Sequence, residues 1–224
     1  GSIASMIYNS NGNGTWGEEG YSPSLLNAMG GYGTSHFNAD VRSNFVQAPY
    51  VKNGLDLYGC TKFSGQDGSI TNNSPAVLRV SEVYLNRAEA YAHLGQETPA
   101  LADLNSIREN RFIPESGKTI DDYKYDSDDV TAAGGIVDLV LNERRIEFAF
   151  EATRFFDLRR NHKDIVRQYW GFHTNTYVAG GDTSTPPALT ADGVTTAWDY
   201  DRLTLPIPSQ ERVNNTLCEQ NPGY

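Results

Sequence analysis

VLRVSEVYLNRAEAYAHLGQETPALADLNSIREN, Val77 to Asn110, is the stretch that decides the fold. Val80, Val83, Tyr84, Ala88, Tyr91 and Leu94 recur at helical spacing and predict one apolar face. Gly95 is a natural C-terminal stop. A second helix is expected to open at Thr98-Pro99, with Thr98 as cap and Pro99 at the first helical position. It would bury Leu101, Leu104, Ile107 and Phe112. A connection of about three residues predicts that the two helices pack antiparallel.

The same residues match a known repeat. Tyr84, Ala88, Tyr91, Ala100 and Leu104 reproduce the tetratricopeptide spacing of aromatic, small and large apolar positions. Arg87 departs from the usual Leu, and Phe112 stands where Pro is usual. One such unit cannot bury both of its faces, so neighbouring units are expected upstream.

Outward from this pair the chain divides into three. Residues 1–77 read as a loop-rich segment with short strands (Val41 to Val46, Leu55 to Tyr58) and form the candidate ligand side. Residues 78–161 are the helical segment. Within it, Ile113 to Gly135 reads as a long acidic loop, and helix resumes near Ile136 with a break near Ala152-Thr153. Residues 162–224 are again loop-rich, with a short strand at Leu203 to Leu205 that Pro206 and Pro208 end. The fold class expected is mainly α with irregular loops and short strands, built on tetratricopeptide-like helix pairs.

Composition narrows the function classes. The chain carries 28 acidic and 18 basic residues, a net charge of −10, which repels phosphate backbones and argues against nucleic acid. No apolar run approaches the roughly 18 residues of a membrane span. The start at Gly1-Ser2 reads as part of a longer protein. Motifs for serine hydrolases, zinc proteases and phosphate-binding loops are missing. His36, His93, His162 and His173 lack ligand spacing, and His93 suits the carbonyl end of its helix. The reading is therefore a binding protein rather than an enzyme, with no cofactor and no metal. Cys60 and Cys218 either pair or remain two thiols; the sequence leaves both open.

LNERRIEFAFEATRFFDLRR, Leu141 to Arg160, mixes charges with Phe148, Phe150, Phe155 and Phe156. Arg144 lies three before Glu147, and Glu151 three before Arg154, so ion pairs along one side are expected. Their closeness to aromatics implies partial burial, and buried charges need partners. These four residues are read as a structural ion-pair network locking this helix to the repeat helices.

Ligand candidates lie in the loops. Sugar rings stack on flat aromatics, and their hydroxyls need amide and carboxylate partners. Asn11, Asn13, Trp16, Glu18 and Tyr21 supply both within one loop, and Trp198 and Trp170 are further candidates. Trp16 packed against the scaffold is the competing reading. Asn9, Asn11, Asn13 and Gly14 follow the spacing of a calcium loop, but Gly20 stands at its twelfth position. Asp126-Ser127-Asp128-Asp129 is a second calcium candidate, or a solvated acidic loop.

Val77 to Gly95, Ala100 to Asn110, LVLNERRIEFAFEATRFFDLRRN (Leu139 to Asn161) and LPIPSQERVNNTLCEQNPGY (Leu205 to Tyr224) occur in that order. Together they resemble the C-terminal half of the SusD/RagB family. Asp40-Val41-Arg42 and Lys62-Phe63 resemble the segment preceding the helices in that family. The resemblance implies a surface lipoprotein of the outer membrane, anchored only through a lipid on a residue absent here. It implies capture of oligosaccharide beside a SusC-like TonB-dependent transporter, with the helical side facing the transporter and the loop side holding ligand. Peptide capture is the alternative within the family. A protein-docking tetratricopeptide scaffold with no ligand site of its own is the alternative outside it.

Overall fold

The computed structural model describes residues 20–52, 55–62, 78–163 and 205–221. The chain forms two compact units, Gly1–Ala152 and Thr153–Tyr224.

The first unit opens with two short helices where loop was expected. Helix α1 (Pro23–Ala28) starts behind Ser22, whose hydroxyl accepts from the Leu25 amide. Helix α2 (Ser35–Ala39) is capped the same way by Thr34 on the Phe37 amide. Both are Ser/Thr caps, and the first is followed by Pro at its first position. Val41–Phe45 then forms a 3-10 turn capped by Asp40, not the expected strand. A two-stranded antiparallel hairpin follows, β1 (Tyr50–Lys52) against β2 (Leu55–Leu57). The neighbouring chain returns close to its start. The Tyr21 amide donates to Tyr58 O at 2.7 Å, and a Cβ on Gly20 would lie 2.8 Å from that oxygen, so glycine permits the approach.

The helical pair follows. Helix α3 (Val80–His93) ends in a Schellman motif: Gly95 at φ +70° donates to Ala92 O, and the Gln96 amide reaches Tyr91 O. Helix α4 (Glu97–Glu109) starts one residue earlier than Thr98, with Gln96 at the cap. Pro99 sits inside its first turn, where a missing N–H costs nothing because those amides lack intrahelical partners. The buried stripe of α3 is Ser81, Leu85, Ala88, Glu89 and Ala92. The predicted face was rotated: Val80, Val83 and Leu94 are 73%, 68% and 71% exposed. Tyr84 and Tyr91 pack on the core edge, and Ala88 and Ala100 are fully buried.

The expected acidic loop is structured. Ile120–Tyr123 forms a 3-10 turn, and Asp126 caps helix α5 (Ser127–Ala133) by accepting from the Asp128 and Asp129 amides at 2.8 and 3.2 Å. Asp129 returns a bond to the Asp126 amide, completing a capping box. These acids thus serve a helix start. Helix α6 (Ile136–Glu147) runs into the break, which begins at Phe148. Phe150 and Ala152 adopt left-handed backbone, φ +64° and +60°, and turn the chain.

Two apolar clusters flank α6. Leu139 and Val140 join Leu85, Ala88, Leu104, Ile107 and Val130. Ile146 and Ala149 join Tyr21, Leu25, Leu26, Met29, Phe37 and Cys60. The second unit contributes helix α7 (Arg154–Arg160) and helix α8 (Ser209–Asn214), which begins after Pro208. Leu205, the described residue of the expected terminal strand, is irregular, and residues 203–204 lie outside the described residues. Gln220 clamps this tail, accepting from the Ile207 amide at 2.7 Å and donating to its carbonyl at 3.1 Å.

Candidate functional site

Between the two clusters the first unit buries charge. Glu143, Glu147, Asp40, Arg42 and Arg108 are each at most 6% exposed. The 3-10 turn after Asp40 sets the first contact: Asp40 caps the Arg42 amide and takes both the Nε and Nη2 of its guanidinium, at 2.8 to 3.0 Å. The same guanidinium reaches Glu143 Oε1 at 2.6 Å and Glu147 Oε2 at 3.2 Å through Nη1. Glu143 and Glu147 are one turn apart on α6, so one arginine spans both.

Glu147 takes two further arginines. Arg111 binds it through a two-pronged fork at 3.0 and 2.7 Å, and Arg79 Nη1 donates to Oε1 at 2.9 Å. Arg111 is delivered by backbone pairing: Val41 N–H donates to Arg111 O, and Ile113 N–H to Ala39 O. Arg79 forks Glu151 at 2.8 and 3.2 Å. Lys62 meets Glu151 at 2.5 Å and donates to the Glu147 and Ala149 carbonyls, which the helix break leaves open. Tyr125 Oη donates to Glu143 Oε2 at 2.9 Å. Arg108 stacks on Tyr125 and Phe112, 3.9 and 4.4 Å to the ring centres, and donates to the Tyr123 carbonyl.

The electrostatics follow. Burial would push the Glu147 carboxyl up, but the Arg111 hydrogen bond and the charges of Arg42, Arg111 and Arg79 hold it at about 2. Glu143 is likewise lowered against its burial by Arg42 and Arg108. Burial pushes Lys62 down, opposed by Glu151. Two carboxylates fixed in the ionised form, with their oxygens occupied, are poor proton carriers.

The expected residues are placed as follows. Glu147 and Glu151 lie in this network, but their partners come from remote segments rather than from neighbouring turns of one helix. Arg144 turns instead to Asn86 Oδ1 at 2.7 Å and to Glu89 at 3.6 Å. Arg154 opens α7 in the second unit. The Arg79 and Arg144 guanidiniums both lie over the Phe148 ring, 4.9 and 5.2 Å from its centre. Asp40, Arg42, Lys62, Arg79, Arg108, Arg111 and Glu143 were missed as network members. The one legible signal was Asp40-Val41-Arg42, an acid and an arginine two apart.

Tyr21 does not face a ligand. It is 3% exposed, edge-on to Phe150, with its hydroxyl 3.9 Å from Cys60 Sγ. Burial first, then Cys60, raises its phenol pKa. Asn11, Asn13, Trp16, Glu18, Trp170 and Trp198, with the calcium spacing at Asn9, lie outside the described residues. Among the described residues no cluster of His, Cys, Asp or Glu is arranged to hold a metal. Cys60 and Cys218 are both free thiols. No helix among the described residues is long and apolar enough to cross a membrane.

Relatives share this arrangement of segments. A SusD-like protein of Formosa agariphila is 28% identical over 158 residues, covering 70% of this chain and 26% of the relative. A SusD superfamily structure from Bacteroides thetaiotaomicron matches with a TM-score of 0.66 at 26% identity, over 98% of this chain and 44% of that one. A candidate sugar-binding protein of Bacteroides vulgatus shares the fold, TM-score 0.60 at 23% identity, over 100% of this chain and 42% of that one. This chain therefore spans about a quarter of the curated relative and less than half of the two solved chains. The SusD family itself matches over residues 38–224, from just ahead of Asp40-Arg42 to the end of the chain, and this chain belongs to that family.

Proposed function

We propose that this chain is the C-terminal portion of a surface protein that captures oligosaccharide and passes it to a SusC-like TonB-dependent transporter at the outer membrane. The observation that carries the reading is the family match across residues 38–224. In this reading the charge-locked helices act as a rigid frame, and the loop-rich segment 1–77 forms the ligand side. Capture would be non-covalent, by stacking on Trp16 with hydroxyls bound by Asn11, Asn13 and Glu18, and Trp198 is a separate candidate platform. The saturated carboxylates of α6 fit a frame rather than a catalyst.

Calorimetric titration of a panel of soluble oligosaccharides, with peptides as controls, tests this. Heat from one glycan class that is lost in Trp16→Ala is the expected result. Heat from peptides alone would replace the sugar with a peptide. Heat from neither, with a TonB-dependent transporter still retained by the chain, would leave a docking scaffold.

A further inference from the structure

The second unit carries a feature that the frame does not use. Where α7 ends, Phe156, Arg159, Arg160 and His162 line a shallow, open depression of about 390 Å³. Phe156 is 60% exposed, an aromatic face left to solvent. Charge here runs against the rest of the chain: Arg154 to Lys163 holds four Arg or Lys residues and one Asp, in a chain of net charge −10. That Asp, Asp157, is 2% exposed and meets Arg160 Nη2 at 2.8 Å.

The backbone adds a second observation. The helix closes in a Schellman motif, with His162 N–H on Arg159 O and Lys163 N–H on Leu158 O. The left-handed position of that motif normally takes Gly, yet His162 occupies it at φ +55°. A histidine held in disfavoured backbone brings its ring to the same depression as two arginines. Cations at a helix C-terminus complement its dipole, which accounts for the arginines alone. It does not account for the exposed ring of Phe156.

We propose that this depression binds the anionic group of an acidic saccharide, a uronate carboxylate or a sulfate ester, with the sugar face on Phe156. Guanidiniums fork planar oxyanions, and a sugar's C–H face stacks on an aromatic ring. The inference rests on the glycan reading above and names its ligand class.

The test is calorimetry on the 224-residue chain at low salt with three probes of matched length: an oligogalacturonate, a heparin-derived oligosaccharide and a neutral malto-oligosaccharide. One anionic probe should bind roughly tenfold tighter than the neutral one, and which of the two does so separates carboxylate from sulfate. Phe156→Ala and Arg159→Gln should each weaken it roughly tenfold and leave neutral binding unchanged. His162→Gly removes the ring while giving the left-handed position its preferred residue, so it should weaken binding in a folded protein. Neutral binding as tight as anionic, or anionic binding that survives all three substitutions, overturns this site and leaves sugar capture standing. Silence from every probe overturns this site, and sugar capture falls with it only if the wider oligosaccharide panel is silent too.

Discussion

Helix α6 is held in place by two different kinds of physics along its length. Its first half, Ile136 to Leu141, lies on an apolar cluster with α3, α4 and α5. Its second half, Glu143 to Glu147, lies among Asp40, Arg42, Arg79, Arg108 and Arg111. Apolar contacts are non-directional and tolerate volume-conserving exchange. The charged half is the opposite: each forked pair fixes distance and direction, and each lost partner strands a charge. The apolar half supplies attraction, and the charged half sets the rotation of α6 against the segments around it.

Glu147→Ala should break this contrast most severely. It takes a carboxylate from three arginines, leaving Arg111 with none, and should cost about 3–5 kcal/mol, read by chemical denaturation; an unchanged midpoint would mean that the charges are ornamental. Acid tests the same half without mutation. The Glu147 carboxyl is lowered from 4.5 to about 2, so its stabilisation is complete above about pH 4.5 and is lost as pH falls through about 2. His36 acts in the same direction, because burial and then Arg108 lower its pKa below 6.5, so its contribution erodes once pH falls below that value. Stability measured between pH 7 and 2 should fall steadily, and in Glu147→Ala the lower limb should become shallower, with Glu143 still contributing to it. Leu139→Ala probes the apolar half and should cost about 2–3 kcal/mol, while Leu139→Met should cost less than about 1.5 kcal/mol. A loss with Leu139→Met equal to that of Arg111→Lys would erase the distinction between the halves.

Smaller effects lie at the ends of neighbouring elements. Asp126→Ala removes the cap of α5 and should cost about 1 kcal/mol in denaturation. Ala152→Gly relieves a left-handed alanine and should stabilise by roughly 0.5–1 kcal/mol, seen as a raised melting temperature. A loss instead would mean that the alanine methyl is packed where the backbone argues it is not needed.

How much was legible follows from locality. The helical hairpin was readable because Tyr84, Ala88, Tyr91, Ala100 and Leu104 are spaced by the helices' own period. The orientation of α3 was not readable, because its buried stripe includes Ser81 and Glu89, and Glu89 is buried there facing Arg144 of another helix. Apolarity therefore pointed to Val80, Val83 and Leu94, which remain exposed. Glu147 was recognisable as a charge needing partners, but its partners lie 36, 68 and 105 residues away, and only the tertiary fold brings them together. The short helices at Pro23 and Ser35 were hidden by surrounding glycines, although Ser22-Pro23 and Thr34 carried their start signals. Asp126 to Asp129 were read for their charge when their spacing was that of a capping box.

The span of these bonds also governs the order in which the molecule can be made. Arg42 leaves the ribosome long before Glu143, which follows 101 residues later. Until then its guanidinium has Asp40 alone, and Arg79, Arg108 and Arg111 likewise emerge ahead of the glutamates that neutralise them. The growing chain therefore holds these arginines without their native carboxylates, and no shorter segment can close the network. Completion of α6 supplies those carboxylates together, so closure of the network waits on long-range encounter.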